Sequence, residues 1–158
     1  MDDGTAAEEG RVARRDLAAM VVPLGRALVA AELPVLRRHG VSMWGYVVLN
    51  ALGEEPLRTQ AALAQSIGAD KTRIIDVLDD LQRQELILRE PDPADRRARL
   101  LSLTPEGRQM RESIRTAIQE REEQLLAGLP AVDRQGFLRA LETLSALAPQ
   151  EFADGDDG

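Results

Sequence analysis

Two groups of residues in this chain have the types and spacing to engage a polyanion. The first is Asp92-Pro93-Ala94-Asp95-Arg96-Arg97, where a proline-braced turn sets two guanidinium groups side by side. The second is Lys71, Thr72, Arg73, Ile75 and Asp76, which helical spacing turns outward from a short amphipathic segment. Arginine can donate two hydrogen bonds to guanine O6 and N7, and Lys71 and Thr72 suit phosphate. Ile75 fits a thymine methyl. Asp76 accepts from cytosine N4 or, as an i, i+3 neighbour, orients Arg73. Arginines at a hairpin tip gain from the negative potential of a narrow minor groove. The competing reading is a solvated helix face and a charged turn that only keeps a hairpin soluble. The occurrence of both groups in one stretch favours a surface for double-stranded DNA.

The elements that must position these residues follow from the flanking pattern. Thr59 is placed to cap a helix that turns Leu63, Ala64 and Ile67 inward, and Gly68 ends it. Asp70 caps a second helix from Lys71 to Gln84, whose apolar residues Ile74, Val77, Leu78 and Leu81 keep an i, i+3, i+4, i+7 period. Arg58, Thr59 and Gln60 then stand where the first helix of such a pair crosses a phosphate backbone. The runs 86–89 and 99–103 are strand-like, with the charged tip between them. Arg89 and Arg99, on those strands, contact phosphate or pair with an acid such as Glu90. Thr104-Pro105 is an N-cap followed by proline at the first helical position. Upstream, Leu17, Val21, Leu24, Leu28 and Val35 have a helical period that Pro23 and Pro34 interrupt, which predicts a kink or two short pieces. Ser42 caps a further helix carrying Trp44, Val47, Val48, Ala51 and Leu52 on one face.

Composition narrows the class. With 158 residues the chain forms one domain. It has no cysteine and one histidine, which excludes disulfides and thiolate chemistry and leaves no metal-ligand cluster, cofactor motif or nucleophile–base pair. Paired acids such as Asp79-Asp80 and Glu122-Glu123 read as solvated helix faces, so an enzyme is not expected. The net charge of −7 argues against a polyanion partner until its distribution is considered. Residues 1–10 and 151–158 carry eight acids and no base, and the remainder carries +1. Apolar runs look shorter than a membrane span, and the acidic start is unlike a signal peptide. A soluble, cytoplasmic protein is expected, with no membrane partner.

The segment Thr59-Gln60-Ala61-Ala62-Leu63-Ala64, the Asp92–Arg97 tip and the exit Leu103-Thr104-Pro105-Glu106-Gly107-Arg108 resemble the MarR family of winged helix-turn-helix transcriptional regulators. The resemblance covers roughly residues 17 to 147. It implies a homodimer, a pseudo-palindromic operator, often a small-molecule inducer, and Arg97 as the residue entering the minor groove with Asp95 bracing it. Two departures stand out. Glu85 replaces a usual glycine, which would permit a positive φ. Ile75-Asp76 replaces a common Ser/Thr-Arg pair. The absence of cysteine excludes the family's thiol-oxidation sensing.

The expected fold class is mainly α with a small β-hairpin. The expected organisation is a disordered acidic tail over 1–11, N-terminal helices for core and dimerisation over 12–53, and a winged helix-turn-helix over 54–104. Dimerisation helices follow over 105–148, then an acidic disordered tail over 149–158. The terminal helices are too apolar to stand alone, so Leu17, Val21, Leu138, Leu141 and Leu144 are candidate dimer contacts; intramolecular packing is the alternative. Met20, His39, Met43, Trp44 and Tyr46 are candidates for a pocket holding a small lipophilic or aromatic effector. Plain core for Trp44 and Met43, and a helix-end cap for His39, are the competing readings. The leading function is a DNA-binding regulator, most simply a repressor. The alternative is a winged-helix module for protein contacts without DNA.

Overall fold

The structure, a computed structural model, describes residues 15–54 and 58–147. The acidic tails expected over 1–11 and 149–158 lie outside these residues. The order is α1 (Leu17–His39), α2 (Met43–Glu54), β1 (Arg58–Thr59), α3 (Gln60–Ser66), α4 (Lys71–Arg83), β2 (Ile87–Pro91), β3 (Arg99–Leu103), α5 (Pro105–Leu126) and α6 (Ala131–Ser145). The expected mainly helical class with a β-hairpin holds, and the short strand β1 extends the hairpin to a three-stranded antiparallel sheet in the order β1-β3-β2. Arg58 pairs with Leu101, and Ile87 with Leu103.

Local chemistry accounts for most boundaries. The Thr59 hydroxyl accepts from the Ala62 N–H, the Asp70 carboxylate from Thr72 N–H, the Ser42 hydroxyl from Gly45 N–H, and the Thr104 hydroxyl from Gly107 N–H. Each satisfies a donor that a helix start leaves open. Three helices end in the same way. The N–H of the residue after a left-handed one reaches back five residues to a carbonyl near the helix end: Val41 to Leu36, Ala69 to Ala64, and Leu86 to Leu81. This ending needs a left-handed residue, supplied by Gly40 (φ 67°), Gly68 (φ 63°) and Glu85 (φ 59°). Glu85 is thus a side-chain-bearing residue doing the work for which glycine has no steric cost.

The two pieces expected from Pro23 and Pro34 do not form: α1 is one helix of 23 residues. Pro23 has no N–H for the Ala19 carbonyl, and the Arg15 guanidinium donates to that oxygen instead, at 3.2 Å. Flanking turns rich in alanine and leucine carry the helix through. α1 is also long and apolar enough to cross a membrane by length and composition, with a mean hydropathy of 1.6 over its most apolar window. The expectation of apolar runs too short for a span judged unbroken runs, whereas Arg26 and Glu32 barely lower a window average. One such helix is weak evidence, since a helix that packs against a second protein surface passes the same test.

The core lies at the centre of the winged-helix region. Val35 and Leu36 of α1, Val48, Leu49 and Leu52 of α2, Leu63 of α3, and Ile74, Leu78 and Leu81 of α4 meet Ile87, Leu101, Leu103 and the α5 residues Ile114 and Ile118. The two ends of the chain are different. The first half of α1 contributes nothing to this core, and α6 contains no buried residue. Leu17, Val21, Leu138, Leu141 and Leu144 are all exposed, between 37% and 59%.

Candidate nucleic-acid interface

The α3–turn–α4 unit presents the start of α4 to solvent. Ile74, Leu78 and Leu81 anchor its inner face, and Thr72, Arg73, Ile75 and Asp76 are exposed on the other sides. The side chains of Lys71 and Arg58 lie outside what the structure describes. α4 carries three acids, an unusual load beside a phosphate backbone. Two of them are neutralised internally. Asp80 takes Arg83 at 2.9 Å and the Gln84 amide at 2.9 Å. Asp79 is paired with Arg89 of β2. Asp76 makes no ion pair among the described residues, and in particular none with Arg73. It is the carboxylate that α4 offers to a hydrogen-bond donor.

The wing tip is tied by its own aspartates. The Asp92 carboxylate accepts from Ala94 N–H at 2.8 Å and the Asp95 carboxylate from Arg97 N–H at 2.9 Å. Asp92 N–H to Ala98 C=O and Ala98 N–H to Asp95 C=O close the turn. Asp95 therefore braces the backbone of Arg97 and leaves its guanidinium alone. Arg96 and Arg97 are exposed, and among the described residues neither side chain makes a hydrogen bond or ion pair. That leaves two guanidinium forks with their donors available on a fixed backbone.

Arg89 fixes the wing to the helices. Besides Asp79 it reaches Gln60 Oε1 of α3 at 3.3 Å and Gln82 Oε1 at 3.4 Å. Of the two expectations for Arg89, pairing with an acid holds, with Asp79 as the partner in place of Glu90. The reason is strand alternation: Arg89 shares a face with buried Ile87, which looks onto α4, whereas Glu90 points the other way. Gln60 stays at the surface with its amide N–H groups available, although its oxygen is taken. Arg99 is exposed and has no acidic partner among the described residues.

These elements enclose one cleft of 610 Å³ between α3, the start of α4 and the wing. Thr59, Gln60, Ile75, Asp95, Arg97 and Arg99 line it. Five residues singled out separately along the sequence are thus brought together here with Arg99. Thr72, Arg73, Asp76 and Arg96 stand outside its lining.

The five candidate effector residues are not brought together. Tyr46 is in the core at 8% exposure, and Met43 packs against that core. His39 Nδ1 donates to Val35 C=O at 2.8 Å, and its Nε2 meets the Ser113 hydroxyl at 3.1 Å, joining α1 to α5. Trp44 lies against Arg73. Met20 is exposed on α1 nineteen residues before His39, roughly 28 Å away along a helix rising 1.5 Å per residue. Two apolar grooves lie along α1, α5 and α6. One, of 240 Å³, is lined by Leu24, Leu28, Ala31, Glu32, Ile118 and Leu125 among others. Another, of 410 Å³, continues to Phe137, Leu138 and Leu141. Glu32 sits at the edge of the first, and its carboxyl is pushed above the ordinary value by burial and then by the neighbouring Glu122.

Gly107 is a functional position of a different kind. A Cβ there would lie 1.9 Å from the Leu86 carbonyl oxygen. Thr104 beside it donates through N–H to Leu86 C=O and through its hydroxyl to Glu85 C=O. The Leu-Thr-x-x-Gly exit is therefore a joint that fastens the start of α5 to the end of α4, and so fixes the wing relative to the helix pair.

Comparison with known proteins agrees with this geometry. Residues 39–98 match the model of the MarR family. Over 148 residues the chain is 28% identical to the protein assigned as transcriptional regulator for the hcr operon in Thauera aromatica, covering 85% of this chain and 89% of that protein. It is 28% identical over 126 residues to the homoprotocatechuate degradative operon repressor of Escherichia coli, covering 78% and 85% of the two chains. The crystal structure of the PcaV transcriptional regulator from Streptomyces coelicolor, in complex with its natural ligand, superposes with a TM-score of 0.61 at 29% identity. That likeness covers 85% of this chain and 97% of PcaV.

Proposed function

We propose that the chain, whose residues 39–98 match the MarR family model, is a winged helix-turn-helix transcriptional regulator of that family and acts as a homodimeric repressor of a pseudo-palindromic operator. The observation that carries this reading is the cleft in which α3, the start of α4 and the wing converge, with Arg97 in its lining, Arg96 next to Arg97, and neither guanidinium paired among the described residues. α4 enters the major groove, where Arg73, Ile75 and Asp76 meet base edges and Lys71 and Thr72 at the helix start meet phosphate. The wing enters the adjacent minor groove through Arg97, with Arg96 beside it. Arg58, Thr59 and Gln60 hold the backbone.

Dimerisation is supported by the first half of α1 and by α6, which contribute no buried residue among the described ones and expose Leu17, Val21, Leu138, Leu141 and Leu144. A two-fold axis between such helices presents two α4 helices to successive major grooves and doubles the phosphate contacts. Release by a small lipophilic or aromatic effector is supported by the relatives, one a repressor of a degradative operon and one crystallised with its natural ligand. Such a molecule acts by preferring one separation of the two reading lobes. The protein is read as soluble and cytoplasmic.

Selection of duplexes from a random-sequence pool by the purified protein tests the reading. The expected product is an inverted repeat with half-site centres about one turn, ~10 bp, apart. Arg97→Ala is expected to weaken binding to that duplex by about five-fold or more, as loss of ~1–3 kcal/mol per arginine contact implies. Unchanged affinity would remove Arg97 from the interface, and failure to select any duplex would remove the function.

A further inference from the structure

Arg73 is the third residue of α4, and its side chain is exposed. Asp76, three residues on, is spaced for an ion pair with it, yet none forms. The guanidinium lies instead over the indole of Trp44, with Cζ 5.6 Å from the ring centroid. Trp44 is the second residue of α2 and is half-buried. Its position is fixed by what flanks it. The Ser42 hydroxyl caps Gly45 at 2.9 Å, and Gly45 is buried so closely that a Cβ would stand 3.1 Å from Val41 Cγ1 and 3.4 Å from Leu81 Cδ2. The ring is therefore held on α4 by a tight helix–helix contact at Leu81.

An aromatic face and a carboxylate hold a guanidinium with different consequences. A carboxylate neutralises the charge and occupies the N–H fork. A ring attracts the charge through its quadrupole and accepts none of the five N–H donors in its place. Arg73 is consequently held in one region of space with its hydrogen-bonding edge unspent. An arginine so held loses less freedom on meeting a base edge than one tumbling in water. Asp79 and Asp80 are already committed to other arginines, so the stacking is not undone by a nearby acid.

We propose that Trp44 is a positioning residue for Arg73, making α2 a contributor to base discrimination although it lies outside the groove. The proposal rests on the reading of α4 as the base-reading helix.

The test uses the full-length protein. Trp44 is the single tryptophan, so its emission reports the contact directly. Without DNA, Arg73→Ala is expected to change the intensity or wavelength of Trp44 emission, and an unchanged spectrum overturns the contact. With DNA, preference is measured as the affinity ratio between the duplex selected by the wild-type protein and a scrambled duplex. Trp44→Leu is expected to reduce that ratio about two- to five-fold, the range of an exposed cation–π pair, and Trp44→Phe by less. In an Arg73→Ala background, Trp44→Leu is expected to cause no further loss. Equal losses in both backgrounds would mean that the ring acts through packing alone and would overturn the proposal. Should Trp44→Leu fail to fold, Trp44→Phe carried through the same cycle decides. If Arg73→Ala leaves the ratio unchanged, the positioning role is refuted while DNA binding stands. If no duplex is selected at all, the functional reading itself has failed.

Discussion

Gly107→Ala puts two effects of opposite sign against each other. Gly107 is in the first turn of α5, where alanine is the better helix former by up to ~1 kcal/mol. A surface helix would gain stability from the change. Here the new Cβ would stand 1.9 Å from the Leu86 carbonyl oxygen, and reaching even 3.0 Å requires a shift of more than 1 Å. The obstacle is backbone on both sides, so no rotamer can relieve it. Moving the first turn of α5 away stretches the Thr104 N–H to Leu86 C=O bond from 3.1 Å and the Thr104 hydroxyl to Glu85 C=O bond from 2.7 Å. Two hydrogen bonds at about 1 kcal/mol each and a weakened N-cap at about 1 kcal/mol outweigh the propensity gain, leaving a net loss of about 2 kcal/mol. That is a large fraction of a typical stability of ~5–15 kcal/mol. Urea unfolding followed by far-ultraviolet circular dichroism measures it. A midpoint equal to or above that of the wild-type protein would show that α5 can ride over Leu86 without cost, and the joint described above would not exist.

Three further outcomes follow from the same structure. Glu85→Gly is expected to stabilise the fold by about 0.5–1 kcal/mol, because the ~1–2 kcal/mol cost of a left-handed residue with a Cβ exceeds the added chain entropy of glycine; a lower urea midpoint would contradict the φ of 59°. Glu32 binds its proton more tightly in the folded chain than its ordinary value of 4.5 implies, so its contribution is present in acid and is lost as pH rises above 4.5 through the raised value. Glu32→Gln is therefore expected to gain stability relative to the wild-type protein as pH rises toward neutrality, and parallel pH profiles of the two would refute the burial and the Glu122 repulsion as causes. Leu141→Arg, at an exposed position of α6 in the open groove shared with α1 and α5, is expected to give a monomer in sedimentation with its helical content largely kept; a dimer of unchanged strength would move the interface elsewhere.

The amino-acid sequence by itself determined the features that close over short separations. Thr59, Asp70 and Thr104 cap helices because each reaches a backbone N–H two or three residues ahead, and Gly40 and Gly68 end helices because they take a left-handed backbone freely. The apolar period of α4 fixed which of its faces is buried, and the strand-like runs on either side of the charged tip set the winged-helix order. The tail charges, too, could be set apart from the rest by counting. Tertiary packing decided everything that joins distant residues. Arg89 found Asp79 and Gln60, and Arg73 found Trp44, because the core brought β2 onto α4 and α2 against its start; no local rule selects such partners. Tyr46 and His39 became core and inter-helix contacts for the same reason. α1 stayed whole because its flanking turns and the Arg15 side chain compensate for proline. Glu85 accepted a left-handed backbone because the Leu86 N–H to Leu81 bond and the Thr104 joint hold the chain there, a constraint that propensity alone does not contain.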